Sequence, residues 1–376
     1  MTCEVTIGYA TGNAAIDAYK TLKPNTKWYL AGYLHTLAAL IIVGYTSVIY
    51  AWIIKYIAGA FMGDFVGLDS QGIQAYFDAF NAKKTTVFIF FLVNFVLNNA
   101  VIILGVQKGI ERVSKILIPV LFVIMIIIIF FGLRLPGAKE GITFLFKPDF
   151  SKFSFNSIIT CLGQAFFALG LAMLGSMVFG SYIKEKDENI FKDSTVICLA
   201  LVFAGILSGF MILPIVFATG LTPGEGVGLT FLTLPLAFNV VPFGRVLSVL
   251  FYFGFYIAAF TSSVGVLEAI VGQFMERFKL ERIKALMLAS AIIVVIAAVS
   301  IFYDPAFAFL DNVESNYILV IGCLLIALFS ARAWKMENVL KAANIKSPFV
   351  KTWMNVSIKY ISPIVIVIIF LSQFIK

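Results

Sequence analysis

Followed for apolar and polar positions, the chain is a succession of long apolar runs separated by short polar stretches. The runs cover roughly 29–60, 86–105, 114–133, 157–180, 194–219, 245–272, 286–303, 317–333 and 353–374. A helix crosses a bilayer with about 20 predominantly apolar residues, down to ~17. Barrel strands instead alternate over about ten residues. These runs are longer and unbroken, so they predict nine transmembrane helices. Ahead of them, MTCEVTIGYATG is half-apolar and too short to cross; it reads as the inner end of a helix. The mid-run prolines Pro119, Pro214 and Pro363 predict kinks. LTPGEG at 221–226, followed by GLTFLTLP, predicts a re-entrant or hairpin external loop.

Composition turns this pattern into a class. The chain is 61% hydrophobic and 13% charged, whereas a soluble domain is about a quarter charged. That excess cannot be buried in one water-facing globule, so the protein is an integral membrane protein, with the lipid bilayer as its solvent. Soluble enzymes, nucleic-acid binders and disulfide-rich secreted domains are excluded. The net charge of +8 is no nucleic-acid footprint, because the basic residues fall in short loops. Loops at 11–28, 106–115, 181–193, 274–285 and 332–352 hold 18 Lys and Arg, while the alternate loops and the C-terminus hold 8. The positive-inside rule then predicts a cytoplasmic N-terminus and, after nine crossings of the cytoplasmic (inner) membrane, an external Lys376.

Catalytic chemistry has little to stand on. The four cysteines are scattered and form no CxxC pair, which fits small buried hydrophobes. A single histidine excludes HExxH zinc chemistry, and no GxxxxGK[ST] phosphate loop occurs. No enzyme is expected, and no organic cofactor.

Several positions remain open between a bland role and a functional one. Gly163, Ala165, Ala168, Gly170, Ala172, Gly175, Ser176 and Gly180 crowd small side chains into one run. They form either a tight helix interface or a break whose freed backbone binds a polar solute. Thr261 and Ser262 follow Ala258 by three and four residues and share its helix face. Their hydroxyls either bond to the preceding turn or join a backbone carbonyl as hard oxygens for an alkali cation. Glu268 is an intramembrane carboxylate, a functional candidate by default, yet ERFKLER at 276–282 is near enough for a boundary salt bridge. His35 reads as structural or interfacial rather than as a proton carrier, and Asp311 as a loop residue or cap.

Resemblance adds to this. GVQKGIERVSKILIPVLF (105–122), LPGAKEGITFLFKPDFSKF (135–153), LGQAFFALGLAMLGSMVFGSYI (162–183), GVGLTFLTLPLAFNVVPFG (226–244), AAFTSS (258–263), FLDNVESN (309–316) and KYISPIVIVIIFLSQ (359–373) resemble, in order, the sodium:neurotransmitter symporter family in its bacterial amino-acid-transporter branch. The resemblance covers nearly the whole chain. It implies an all-α integral membrane protein with the inverted-repeat amino-acid-transporter fold, leucine-transporter-like, with nine full transmembrane helices plus an N-terminal half-helix. Residues 1–376 then form a single polytopic domain. Within it, 1–10 is the remnant of the family's second helix, 29–133 the rest of the first repeat, 157–333 the second repeat and 353–374 a final accessory helix. The family's first helix is absent, so the chain is expected to be an N-terminally truncated form that does not transport alone.

The resemblance also implies roles. The run at 162–181 corresponds to the family's broken sixth helix, with Phe167, Gly170 and Met173 lining the substrate pocket; Ile42, Thr46 and Val266 are further pocket candidates. Thr46 stands where many relatives have a tyrosine that holds a substrate carboxylate, with Tyr45 beside it. Ala258, Thr261 and Ser262 match part of the second sodium site. The first sodium site is poorly matched, with Ala168 in place of a hydroxyl residue and Leu201 near a polar ligand position. Glu4 matches a second-helix glutamate near the breaks, and Glu314 an external-gate acid; with Glu268 they form the gate and polar set. The expected function is sodium-coupled symport of an amino acid or related small solute, with sodium ion as the co-transported species. The alternative, of another class, is a non-transporting regulatory partner of a full-length symporter. Oligomeric state is open, a homodimer among the options.

Overall fold

The computed structural model describes residues 1–185, 188–221, 223–224 and 226–374. Lys376, Thr222 and Glu225, on which the expected external end and the LTPGEG turn partly depend, lie outside the described residues. Among those described, all regular structure is helical. In chain order it comprises α1 (Thr2–Thr11), α2 (Ala15–Leu22), α3 (Tyr29–Met62), α4 (Ser70–Ala82), α5 (Lys84–Ile103), α6 (Gly109–Gly132), α7 (Ala138–Phe146) and α8 (Phe155–Ala168). There follow α9 (Gly175–Tyr182), α10 (Ile190–Ala218), α11 (Gly226–Val240), α12 (Gly244–Phe278), α13 (Arg282–Phe302), α14 (Asp304–Ala333), α15 (Met336–Ala342) and α16 (Pro348–Ser372).

Eight of these, α3, α5, α6, α10, α12, α13, α14 and α16, are long and apolar enough to span a membrane. Hydrocarbon offers backbone groups no partner, so a spanning segment must satisfy them within its own helix. The large apolar side chains left uncovered fit that setting: Val93 and Val96 on α5, Ile116, Val123 and Ile126 on α6, Val202 and Phe203 on α10. Eight of the nine apolar runs are thus continuous helices. The ninth, 157–180, is two shorter helices, α8 and α9, separated by six non-helical residues. Four stretches expected as loops contain the short helices α2, α4, α7 and α15. Charged and polar residues on one side of each short helix made them look like plain connections. Pro119 and Pro214 lie inside continuous helices, whereas Pro363 comes two residues after a π-helical turn at Ser357–Ile361.

The chain forms two compact units, whose boundaries fall within α3, α10 and α12 and between α7 and α8. The first contains Met1–Tyr45, Phe153–Leu201 and Gly265–Lys376. Inside it α1 lies flat against α9 through two glycines: a Cβ on Gly8 would strike the Met177 carbonyl, and one on Gly180 the Val5 carbonyl. Small residues let helix backbones approach this closely where apolar lipid offers no hydrophobic drive to association.

The second unit contains Thr46–Lys152 and Val202–Val264. Its core is a cluster of aromatic rings, with Tyr56 against Phe65, Tyr76, Phe231 and Tyr252. Two phenols reach into the π-helical turn Leu229–Thr233 of α11: Tyr56 Oη donates to the Phe231 carbonyl (3.0 Å) and Tyr252 Oη to that of Thr230 (2.8 Å). In the same unit Gly141 of α7 sits on the Leu213 carbonyl beside Pro214 of α10.

Candidate functional site

The helix break in the first unit is where backbone polarity is released inside an apolar element. After Ala168 the chain turns through 169–174 with three left-handed residues, Gly170 (φ +59°), Ala172 (φ +61°) and Leu174 (φ +70°). Only glycine enters this region without steric cost, so Ala172 and Leu174 are held there by their surroundings. The lower lip is a γ-turn: the Gly175 N–H donates to the Met173 carbonyl (2.8 Å) across Leu174.

Both polar groups of Ala172 are captured by side chains. Its N–H donates to Glu4 Oε1 (2.6 Å), and its carbonyl lies 3.1 Å from His35 Nδ1. The far nitrogen of His35 is 3.2 Å from the Tyr19 hydroxyl. Glu4, His35, Tyr19 and Ala172 are all buried. Glu4 and Gly8 are four residues apart on α1 and so share a face; the glycine contact that seats α1 on α9 brings the carboxylate to the break.

Phe167, Gly170 and Met173 all belong to this segment: Phe167 is partly exposed, Gly170 intermediate and Met173 buried. Phe167 also lines a cavity of about 690 Å³ together with Gly163, Gln164, Asp311, Ser315 and Asn316. Ile42 follows His35 by seven residues on α3, about two turns and hence the same face. Val266 is half-buried on α12. Thr46 falls in the second unit.

Glu314 opens a π-helical turn, Glu314–Ile318, and is fully buried. Ser315 Oγ donates to its Oε2 (3.3 Å), while Oε1 has no hydrogen-bond partner among the described residues. Asp311 is neither loop nor cap: it lies within α14 and accepts from Tyr45 Oη (2.9 Å). Glu268, also fully buried, is gripped by both terminal nitrogens of Arg282 and by Tyr182 Oη (3.1 Å). Of the two readings open for Glu268, the geometry displays the salt bridge to the ERFKLER segment.

The two hydroxyls and the Ala258 carbonyl lie in the second unit. Thr261 Oγ1 donates to the carbonyls of Ile257 (3.0 Å) and Ala258 (3.1 Å), and Ser262 Oγ to that of Ala258 (3.1 Å). Three oxygens therefore converge on one spot of α12. A hydroxyl that donates its hydrogen backwards keeps its lone pairs outward, so the bond to the preceding turn and cation ligation use different parts of the same group.

Residue types alone had no means of singling out His35, Tyr19, Tyr45 or Asp311 as partners. The pairings His35–Ala172 and Tyr45–Asp311 join residues 137 and 266 positions apart. The π-helical turns at 229–233 and 314–318 carry no residue signature either.

The pattern of the family described as "Sodium:neurotransmitter symporter family" matches residues 73–376. The chain is 33% identical to YhdH, an uncharacterized sodium-dependent transporter of Bacillus subtilis, over 98% of this chain and 85% of that one. It is 31% identical to an uncharacterized sodium-dependent transporter of Haemophilus influenzae, over 97% and 82% respectively. Among solved structures, MhsT in complex with L-phenylalanine superposes with a TM-score of 0.89 at 31% identity, covering 99% of this chain and 87% of MhsT.

Proposed function

The chain belongs to the sodium:neurotransmitter symporter family, a family of membrane transporters and not of enzymes, and from that premise we propose that it is a sodium-coupled symporter of amino acids or closely related small solutes. One observation carries the reading: an apolar helix is interrupted at 169–174, and the freed peptide groups of Ala172 are fixed by buried side chains instead of being left to water. Such a break presents fixed backbone dipoles at membrane depth, where a polar solute finds no other partner. Phe167, Gly170 and Met173 contribute the wall of the pocket, with Ile42 and Val266 of the same unit completing it. L-Phenylalanine bound to MhsT supports an amino acid as the solute class.

Sodium is the second substrate. Ala258, Thr261 and Ser262 supply hard oxygens suited to an alkali cation, the hydroxyls ligating through lone pairs while their hydrogens stay on the preceding turn. Glu4 braces the break, while Glu314, with an oxygen that has no partner among the described residues, and Glu268, with its arginine, act at the gates. Transport is coupled because sodium and solute each bind the alternating states unequally; a ligand with equal affinity for both would shift nothing. In this reading 29–133 and 157–333 are the two inverted repeats, and 353–374 is an accessory helix. The basic loops face the cytoplasm, and the protein sits in the cytoplasmic membrane.

The test is equilibrium binding of labelled L-phenylalanine, and of a panel of other labelled amino acids, to the purified protein in sodium or in choline. Saturable binding of at least one amino acid that requires sodium is expected. Binding of none, or binding indifferent to sodium, contradicts the reading.

A further inference from the structure

The contact between α3 and the helix break points to a role for a side chain outside the pocket wall. Resting on the reading of the break as the solute-binding element, we propose that His35 is a positioning residue for it. His35 fixes the Ala172 carbonyl, and through it the turn that carries Gly170 and Met173.

The hydrogen-bond chemistry leaves one arrangement. A carbonyl only accepts, so Nδ1 of His35 must carry the hydrogen it gives to Ala172 (3.1 Å). The neutral ring then offers Nε2 as acceptor, and the Tyr19 hydroxyl donates to it (3.2 Å). Tyr19 itself is fully buried and held edge-on by Phe329, with ring centroids 4.6 Å apart. On the other side of the imidazole Gly322 of α14 leaves the needed room: a Cβ there would lie 2.6 Å from that of Ala172 and 3.3 Å from the His35 ring. Three elements thus close around one imidazole; the Ala172 carbonyl sets its tautomer, and the Tyr19 hydroxyl of α2 satisfies the nitrogen left over.

What the imidazole holds is costly backbone. A left-handed alanine and a γ-turn at a leucine persist only where the surroundings over-determine them. Glu4 secures the peptide before the Ala172 Cα, and His35 secures the one after it. Released from His35, the 172–173 peptide can rotate, which swings Met173 and opens the γ-turn closed by Gly175.

The experiment compares the whole protein in lipid nanodiscs with His35→Asn, His35→Leu and His35→Gln by hydrogen–deuterium exchange. The asparagine amide nitrogen can occupy the place of Nδ1, whereas leucine has nothing to donate and the glutamine nitrogen extends past that place toward Nε2. Asparagine and leucine both lose the Tyr19 contact, so their difference reads the Ala172 bond alone. Loss of one such bond accelerates exchange roughly three- to tenfold. That acceleration is expected at the amides of Leu171 and Gly175 in the leucine and glutamine variants, with asparagine near the parent and α5 and α6 unchanged in all. Should the leucine variant not fold, glutamine against asparagine still contrasts an amide that misses the Ala172 carbonyl with one that reaches it. In the binding assay with L-phenylalanine in sodium, the same two variants bind more weakly and asparagine restores affinity. Equal exchange at 169–175 in asparagine and in leucine or glutamine variants overturns the proposal, as does exchange matching the parent in leucine and glutamine. Exchange needs no bound solute. A parent protein that binds no amino acid therefore counts against the transport reading, while the exchange pattern still decides what His35 holds.

Discussion

Ala172 is an ordinary small residue whose two peptide groups are each claimed by a buried side chain, Glu4 on one side and His35 on the other. An unsatisfied buried N–H costs about 1–3 kcal/mol, so Glu4→Ala is expected to destabilise the protein by about that amount, read as a lower midpoint of thermal unfolding in detergent. Glu4→Gln, whose amide oxygen still accepts, should recover most of the loss. A second residue-scale test concerns the buried carboxylate of Glu268. Arg282→Ala strands it and should cost about 3–5 kcal/mol; adding Glu268→Gln should recover much of that deficit, because the uncompensated charge is gone. If the double variant is as unstable as the sum of the singles, Arg282 acts by packing and not by pairing. At this scale the sequence displayed residue types but not partners. Glu4 drew attention by resemblance and Glu268 by its place in an apolar run. His35, by contrast, offered no more than a lone imidazole near a helix start. Its role depends on a carbonyl brought to it by the fold.

Elements were more legible, because length and apolarity dictate a spanning helix wherever chain meets lipid. Eight runs became continuous helices, and the ninth held the small residues that announced either an interface or a break. Both occur in that stretch: Gly180 serves the α1 contact, and Gly170 serves the left-handed turn. The endpoints of the break at 169 and 174 were beyond reach, since Ala172 and Leu174 are poor residues for positive φ and are imposed by neighbours. The α1–α9 seam yields its own prediction. Gly8→Ala and Gly180→Ala each push a methyl onto a carbonyl, and overpacking of this kind costs about 1–3 kcal/mol. Gly175→Ala, where a Cβ meets nothing within 4 Å, should leave thermal stability nearly unchanged in the same scan. In the second unit, Asp64 accepts from Tyr76 Oη (3.0 Å) and pairs with Lys55 (3.5 Å). Burial, then the bond to Asp64, push the Tyr76 phenol above its ordinary range, so this tie between α4 and α3 keeps its proton at any physiological pH.

For the whole molecule, an apolar chain, a helix broken at a braced peptide and a cluster of three oxygens join in one account: a symporter that binds a dehydrated cation and a polar solute. The orientation proposed from the basic loops is checked by single cysteines in a background lacking the four native ones. Positions in 181–185 and 274–285 should label only from the cytoplasmic side, and those in 61–69 only from outside; the reverse pattern inverts the topology. Coupling itself is read from uptake into proteoliposomes of an amino acid that binds in sodium. With an inward sodium gradient the account predicts accumulation above the equilibrium level, the opposite of the expectation that the chain does not transport alone, and Thr261→Val with Ser262→Ala should raise the sodium concentration needed about tenfold or more, ~1.4 kcal/mol. Uptake of equal size in potassium, or sodium dependence untouched by the paired substitution, would contradict it.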